Sequence, residues 1–387
     1  MDIVIVAAKR TPMGAFQGAL VTLNAAELGA CALAATLDEV GVSPDRIQEV
    51  LMGNVLAAGM GQAPARQAAL GAGLPVSVPC TTVNKVCGSG MKAVMLAADS
   101  LRLGQGEMIL AGGMESMSRA PYLLDKARGG YRMGHQQIQD SLFLDGLQDA
   151  YDGQLMGVHA QASADRAQIS RAGMDAFAMG SLERALRAQR EGRFAAELTE
   201  VRQGDRVLLA EDEQPGKARM EKIPTLRPAF RPDGTITAAN SSSISDGAAA
   251  LLLMREETAL AEGLVPLARI RGYVSHAGVP AEFVSAPVAA INRLLASLGW
   301  RSDQVDLYEV NEAFAMVSML AMTGCAIPAE RLNVHGGACA LGHPLGASGA
   351  RILVTLVHAL RAHGLKRGVA ALCIGGGEAT ALALELI

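Results

Sequence analysis

The chain has 387 residues, half of them hydrophobic and only 19% charged, enough apolar mass for two or three domains and too little charge for a disordered protein. Lys and Arg number 34 against 38 Asp and Glu, a net charge of −4 with no basic run, so no nucleic-acid partner is expected. Aromatic residues make up 3% while glycines number 43, which disfavours a base-stacking surface and suits small-residue helices packed closely on sheets.

In chain order, the segment from Asp2 to Pro12 reads as a buried strand closed by a basic turn, with an apolar run too short for a signal peptide. The apolar spacing of Met91, Val94, Met95 and Leu101 predicts a helix over 91–103, and Glu107–Ala111 has the length of a buried strand. Residues from about 120 to 245 are polar and rich in Arg, Gln and Asp, with a helix expected at 174–190. Apolar runs follow at Asp246–Met254 and before Asn311. A helix over 350–363, a strand over 368–374 and a final apolar run from Glu378 complete the chain. No stretch of about 18 apolar residues occurs, so no membrane partner is expected. The six cysteines show neither CxxC nor finger spacing, which predicts free thiols, a reducing cytoplasmic setting and no metal.

Parts of the chain repeat. Gly41, Asp45 and Ile47 match Gly299, Asp303 and Val305 at an offset of 258; Ser89-Gly90 match Ser348-Gly349 at 259, and Gly104 matches Gly364 at 260. Each copy alternates strands with helices, which predicts an α/β fold, a duplicated set of α-β-α-β-α layers. The copies also locate an insertion. Residues 1–119, completed by 246–266, form the first half; 120–245 form an inserted loop domain that covers the substrate; 267–387 form the second half.

Chemistry concentrates near the glycines. Cys87 precedes Gly88 and Gly90 at a strand-to-helix turn, where backbone N–H groups and the helix dipole are expected to lower its thiol pKa. Cys373 is followed within two residues by Gly375 and two further glycines, a backbone nest suited to an oxyanion. Gly342 and Pro344 fix His343 between two turns, as a general base requires. Asn311 ends a strand, where α/β proteins place ligand groups. His135, His159, His276, His358 and His363 read as surface groups, and His335 and the other four cysteines as structural. No G-x-G-x-x-G follows the first strand and no Walker sequence is present, which disfavours nucleotide-binding folds.

Together, Asn84-Lys-Val-Cys87-Gly-Ser-Gly, Asn311-Glu-Ala-Phe314, the run from Gly336 to Arg351 and Cys373-Ile-Gly-Gly-Gly377 resemble the signatures of the thiolase family. The likeness runs from Arg10 to Gly377 and is greatest to the acetyl-CoA C-acetyltransferase branch. It implies a thiolase-type layered fold and ping-pong transfer between CoA thioesters, condensing two acetyl-CoA to acetoacetyl-CoA or reversing that step. Cys87 would be the nucleophile, His343 its base and Cys373 the acid/base at the α-carbon. Asn311 would hold a water, and Gly375 would donate to an acyl oxygen. Ser242, Met156, Phe230, Ala313 and Phe314 would line the pantetheine and acyl pocket. The resemblance implies acyl-CoA and CoA as partners, a homo-oligomer with a tetramer favoured, and no cofactor beyond the thioesters. Leu155, where the family usually has His, leaves a longer-chain 3-ketoacyl-CoA thiolase as an alternative, and a non-catalytic acyl-CoA-binding relative as another.

Overall fold

The computed structural model describes residues 2–387. Nine strands carry the main sheet: β1 (Ile3–Arg10), β2 (Glu49–Gly53), β3 (Cys80–Val83), β4 (Met108–Ser116), β5 (Ser245–Arg255), β6 (Ala268–Ala277), β7 (Leu307–Val310), β8 (Arg367–Ile374) and β9 (Glu378–Leu386). A two-residue strand, Gly14–Ala15, adds to β5. The spatial order is β7-β8-β9-β6-β1-β5-β4-β2-β3. The two halves of this sheet meet at β1 and β6, which pair only through Val4–Arg269 and Ile5–Ala268.

The duplication is visible in the pairing. In the first half β1 runs antiparallel to β5, β5 antiparallel to β4, and β4 parallel to β2. In the second, β6, β9, β8 and β7 repeat those relations in the same order. Matching helices end on matching glycines. Gly41 closes α1 (Ala25–Val40) at φ 63°, and Gly299 closes α5 (Ala286–Leu298) at φ 64°. Both conformations are left-handed, which explains why glycine stands at each stop.

Strand β1 shows how the layers arise. Its side chains alternate, with Ile3 and Ile5 on one face and Val4 and Val6 on the other. The first face packs on α2 (Ser89–Arg102) and α6 (Leu345–His363), which share one core with strands of both half-sheets. Val4 and Val6 face α1, while Val369 and Ala371 of β8 face α5 and the helix Ala315–Cys325. Helices therefore lie between the half-sheets and outside each of them. The helix expected over 350–363 begins earlier, at Leu345, because the turn at His343-Pro344 leads straight into it.

Residues 120–245 add no strand to this sheet before β5 begins at Ser245. They contain α3 (Met156–Arg166), α4 (Arg171–Arg190), and two short ribbons, Tyr122–Leu123 with Gln139–Asp140 and Val201–Gln203 with Arg206–Leu209. The fully buried guanidinium of Arg10 anchors part of this segment, donating to Glu197 at 2.6 Å and to Asp212 at 2.7 Å. Two buried carboxylates around one guanidinium neutralise a charge that burial alone would exclude.

Candidate active site

Cys87 sits on a strained turn. Val86, a β-branched residue, is held at φ 46°, a conformation such side chains rarely adopt. Local hydrogen bonds impose it: Asn84 Oδ1 accepts from the Val86 N–H at 3.0 Å, and Ser89 Oγ accepts from Lys85 N–H at 2.8 Å while donating to Val86 O at 2.6 Å. Gly88 then lets the turn press against β8, since a Cβ there would lie 2.4 Å from Ile374 Cδ1. This approach places the Cys87 sulfur before the Gly375 N–H, which, with the N–H of Cys87 itself, points at it. The expectation of a lowered thiol pKa is corrected by the structure. Burial outweighs those two donors and pushes the Cys87 thiol up to about 11, so the resting group is a thiol and its attack requires a base.

His343 supplies one. Its Nδ1 lies 2.5 Å from Ser348 Oγ, and that hydroxyl donates to Pro344 O at 2.9 Å. With the single hydroxyl proton committed there, Nδ1 carries hydrogen and donates to Ser348, leaving the lone pair on Nε2. Nε2 is buried and has no hydrogen-bond partner. Burial and the nearby Arg351 guanidinium lower the His343 pKa to about 3, so the imidazole is neutral at physiological pH. Asn311 lies behind it, with its amide nitrogen 3.4 Å from Nδ1 and its Oδ1 unpartnered.

Cys373 is the penultimate residue of β8, and its thiol is raised well above the ordinary value, first by burial and then by the sulfur of Cys87. Cys87, His343, Cys373 and Gly375 face one cavity of about 260 Å³. Ser242, Met156, Phe230, Ala313 and Phe314 line it as well, so nine of the ten expected site residues converge there. Asn311 is not on the cavity wall and lies behind His343.

Several contributors were not legible. Phe143, Leu147, Leu155 and Phe283 add an apolar wall from loops and helix starts whose approach no local pattern announces. Glu115 is also new as a positioning residue. This fully buried carboxylate accepts from the N–H groups of Val55 and Leu56, both at 3.1 Å, from Gly346 N–H at 2.8 Å and from Asn54 Nδ2 at 2.8 Å. It thereby ties the start of α6, just after His343, to the loop after β2. A charge inside the otherwise apolar strand β4 was the available signal. Two histidines expected at the surface are instead buried: His358 bonds Ala8 O at 2.9 Å, and His159 lies 3.3 Å from Asp152.

Residues 3–257 match the family described as thiolase, N-terminal domain, and residues 264–386 match thiolase, C-terminal domain. The chain is 50% identical to acetyl-CoA acetyltransferase 2 of Arabidopsis thaliana, across 100% of its own length and 97% of that protein. It is 48% identical to an acetyl-CoA acetyltransferase of Pseudomonas aeruginosa, across 99% of each. Among solved structures it superposes on the Acat5 thiolase of Ascaris suum, in complex with coenzyme A, with a TM-score of 0.95 and 40% identity over all of both chains. With matching domains from end to end and two thiols sharing one cavity with an imidazole, the chain belongs to the thiolase family.

Proposed function

We propose that the chain is an acetyl-CoA C-acetyltransferase, which condenses two acetyl-CoA molecules to acetoacetyl-CoA and cleaves that product with CoA. One observation carries the reading: Cys87, Cys373 and the unpartnered Nε2 of His343 share a single cavity. The likeness to relatives named acetyl-CoA acetyltransferase and to a coenzyme A complex supplies the substrate.

The proton count closes on these groups. Cys87 Sγ attacks the acetyl carbonyl carbon as its proton passes to His343 Nε2. The departing CoA thiolate takes a proton from Cys373, leaving acetyl-Cys87, an imidazolium and a Cys373 thiolate. That thiolate removes an α-proton from a second acetyl-CoA. The resulting carbanion attacks the acetyl carbonyl, and Cys87 leaves as a thiolate and regains its proton from His343. The N–H groups of Cys87 and Gly375, which point at the Cys87 sulfur, would stabilise the oxyanion formed on the acyl group it carries. His343 and a water on Asn311 serve the enolate oxygen. No cofactor enters these steps beyond the thioesters.

Mass analysis after mixing with acetyl-CoA alone tests the reading. Acetyl should appear on Cys87, vanish in Cys87→Ser, and persist in Cys373→Ser, which should lose condensation. An unlabelled wild-type chain would instead favour an acyl-CoA-binding relative without catalysis.

The apolar wall of Phe143, Leu147, Leu155 and Phe283 supports a second reading, a preference for longer 3-ketoacyl chains in fatty-acid degradation. Relative rates on acetoacetyl-CoA and a longer 3-ketoacyl-CoA decide between the two. We also propose that 120–245 is the CoA-covering loop domain within the boundaries given above. The ribbon region of that segment exposes Tyr122, Leu124, Met133 and Ile138, apolar surface that supports assembly into a homotetramer. Six free cysteines support a cytoplasmic location, and no described helix is long and apolar enough to cross a membrane.

A further inference from the structure

We propose that Asp149, Asp152 and His159 form a binding site for a divalent transition-metal ion that braces one wall of the acyl cavity. One potential ligand atom from each residue lies within 4.8 Å of the other two. His159 Nε2 and Asp152 Oδ1 are 3.3 Å apart. Two ligands at roughly 2.0–2.1 Å from a tetrahedral ion stand about 3.3 Å from each other, so this pair already has the spacing of a shared metal.

The second observation is independent of that spacing. Asp149 is only 5% exposed, and its Oδ2 is buried without any hydrogen-bond partner. Its Oδ1 is already engaged, accepting from the N–H groups of Tyr151 at 2.8 Å and Asp152 at 3.1 Å. The turn thus holds the carboxylate of this cluster rigidly while its second oxygen is left buried and unsatisfied, an arrangement that a cation resolves. A half-exposed Asp152 side chain opens the cluster to solvent and provides the route of entry.

Two carboxylates and an imidazole suit zinc, manganese or iron better than calcium, which prefers more oxygen ligands. The position gives the ion a structural role. Gln148 bridges to Leu155 across the turn, with Leu147 on one side and Leu155, Met156 and Gly157 on the other, all four on the cavity wall. An ion joining the turn to His159 on α3 would fix these residues relative to one another.

Titration of the chelator-treated full-length chain with zinc alone, by calorimetry and by thermal unfolding, tests the site. We expect one saturable equivalent and a raised unfolding temperature. Asp152→Asn and His159→Leu should each weaken binding at least about tenfold and abolish the thermal response. The first variant changes a half-exposed side chain, so loss of folding does not confound it. Because thiols also take zinc, cobalt serves as a second probe. Nitrogen and oxygen ligation gives only weak visible bands, whereas a strong near-ultraviolet thiolate band would place the metal on cysteine and overturn the proposal. Absence of saturable zinc binding, or binding unchanged in both variants, would overturn it equally.

Discussion

A thiol at the mouth of a helix is commonly expected to be acidic, and at Cys87 two opposing effects can be ranked. Donation from Gly375 and from its own N–H lowers the pKa, while loss of water raises it, and the second prevails at about 11. Alkylation of Cys87 by iodoacetamide should therefore accelerate about tenfold per pH unit from pH 7 to 10, because the thiolate fraction rises in that proportion below the pKa. Peptide mapping at each pH measures it, and a plateau near pH 7 would show an acidic thiol instead. At this scale the sequence exposed identities better than ionisation. Glycines beside Cys87 and Cys373 and the turn around His343 were legible because backbone geometry is written locally. Burial was not, since the residues that dehydrate Cys87, among them Val55, Leu142 and Leu345, are gathered from separate parts of the chain. The same reason hid His159 and His358, which look polar in sequence and are enclosed by distant elements.

Elements meet the cavity through contacts that leave no room for one carbon atom. At the start of α3, a Cβ on Gly157 would lie 2.0 Å from Phe230 Cζ. The far end of a ring can swing, so helix α3 should persist in Gly157→Ala while Phe230 is displaced within the pocket both residues line. We expect a stability loss of about 1–3 kcal/mol, the usual cost of overpacking, and a KM for acetoacetyl-CoA raised more than kcat falls. Urea unfolding and steady-state kinetics check both halves of that expectation. An unchanged KM would place Phe230 away from the substrate. Several elements around the main sheet were legible from apolar spacing and run length, with α2 observed at Ser89–Arg102 against an expected 91–103 and β8 at Arg367–Ile374 against 368–374, whereas β2, β3 and β6 were not. Loop contributors such as Phe143 and Phe283 had no such period, so their convergence emerges only from the tertiary arrangement.

The whole molecule is organised around the crossing of its two internal helices. Gly90 of α2 and Gly349 of α6 are equivalent positions of the repeat, and they meet each other's helix: a Cβ on Gly90 would lie 2.8 Å from Ala350 N, and one on Gly349 2.5 Å from Met91 N. Backbone, unlike a side-chain tip, cannot yield locally. The crossing lies three residues beyond Cys87 and six beyond His343, so the distance between nucleophile and base is set by how closely these helices approach. Because β1 and β6 join the half-sheets through two residue pairs only, the shared helical core is the main connection between the halves. Gly349→Ala should therefore destabilise the entire fold by about 1–3 kcal/mol or more, in one cooperative transition. Its acetylation on Cys87 should fall more steeply than that of Gly157→Ala, because the change separates the two reacting groups themselves. Denaturation followed by both fluorescence and far-ultraviolet circular dichroism measures the first effect, and acetyl-CoA labelling the second. Two separated transitions would show that the halves fold independently, and wild-type labelling would show that helix spacing does not set the reach of His343.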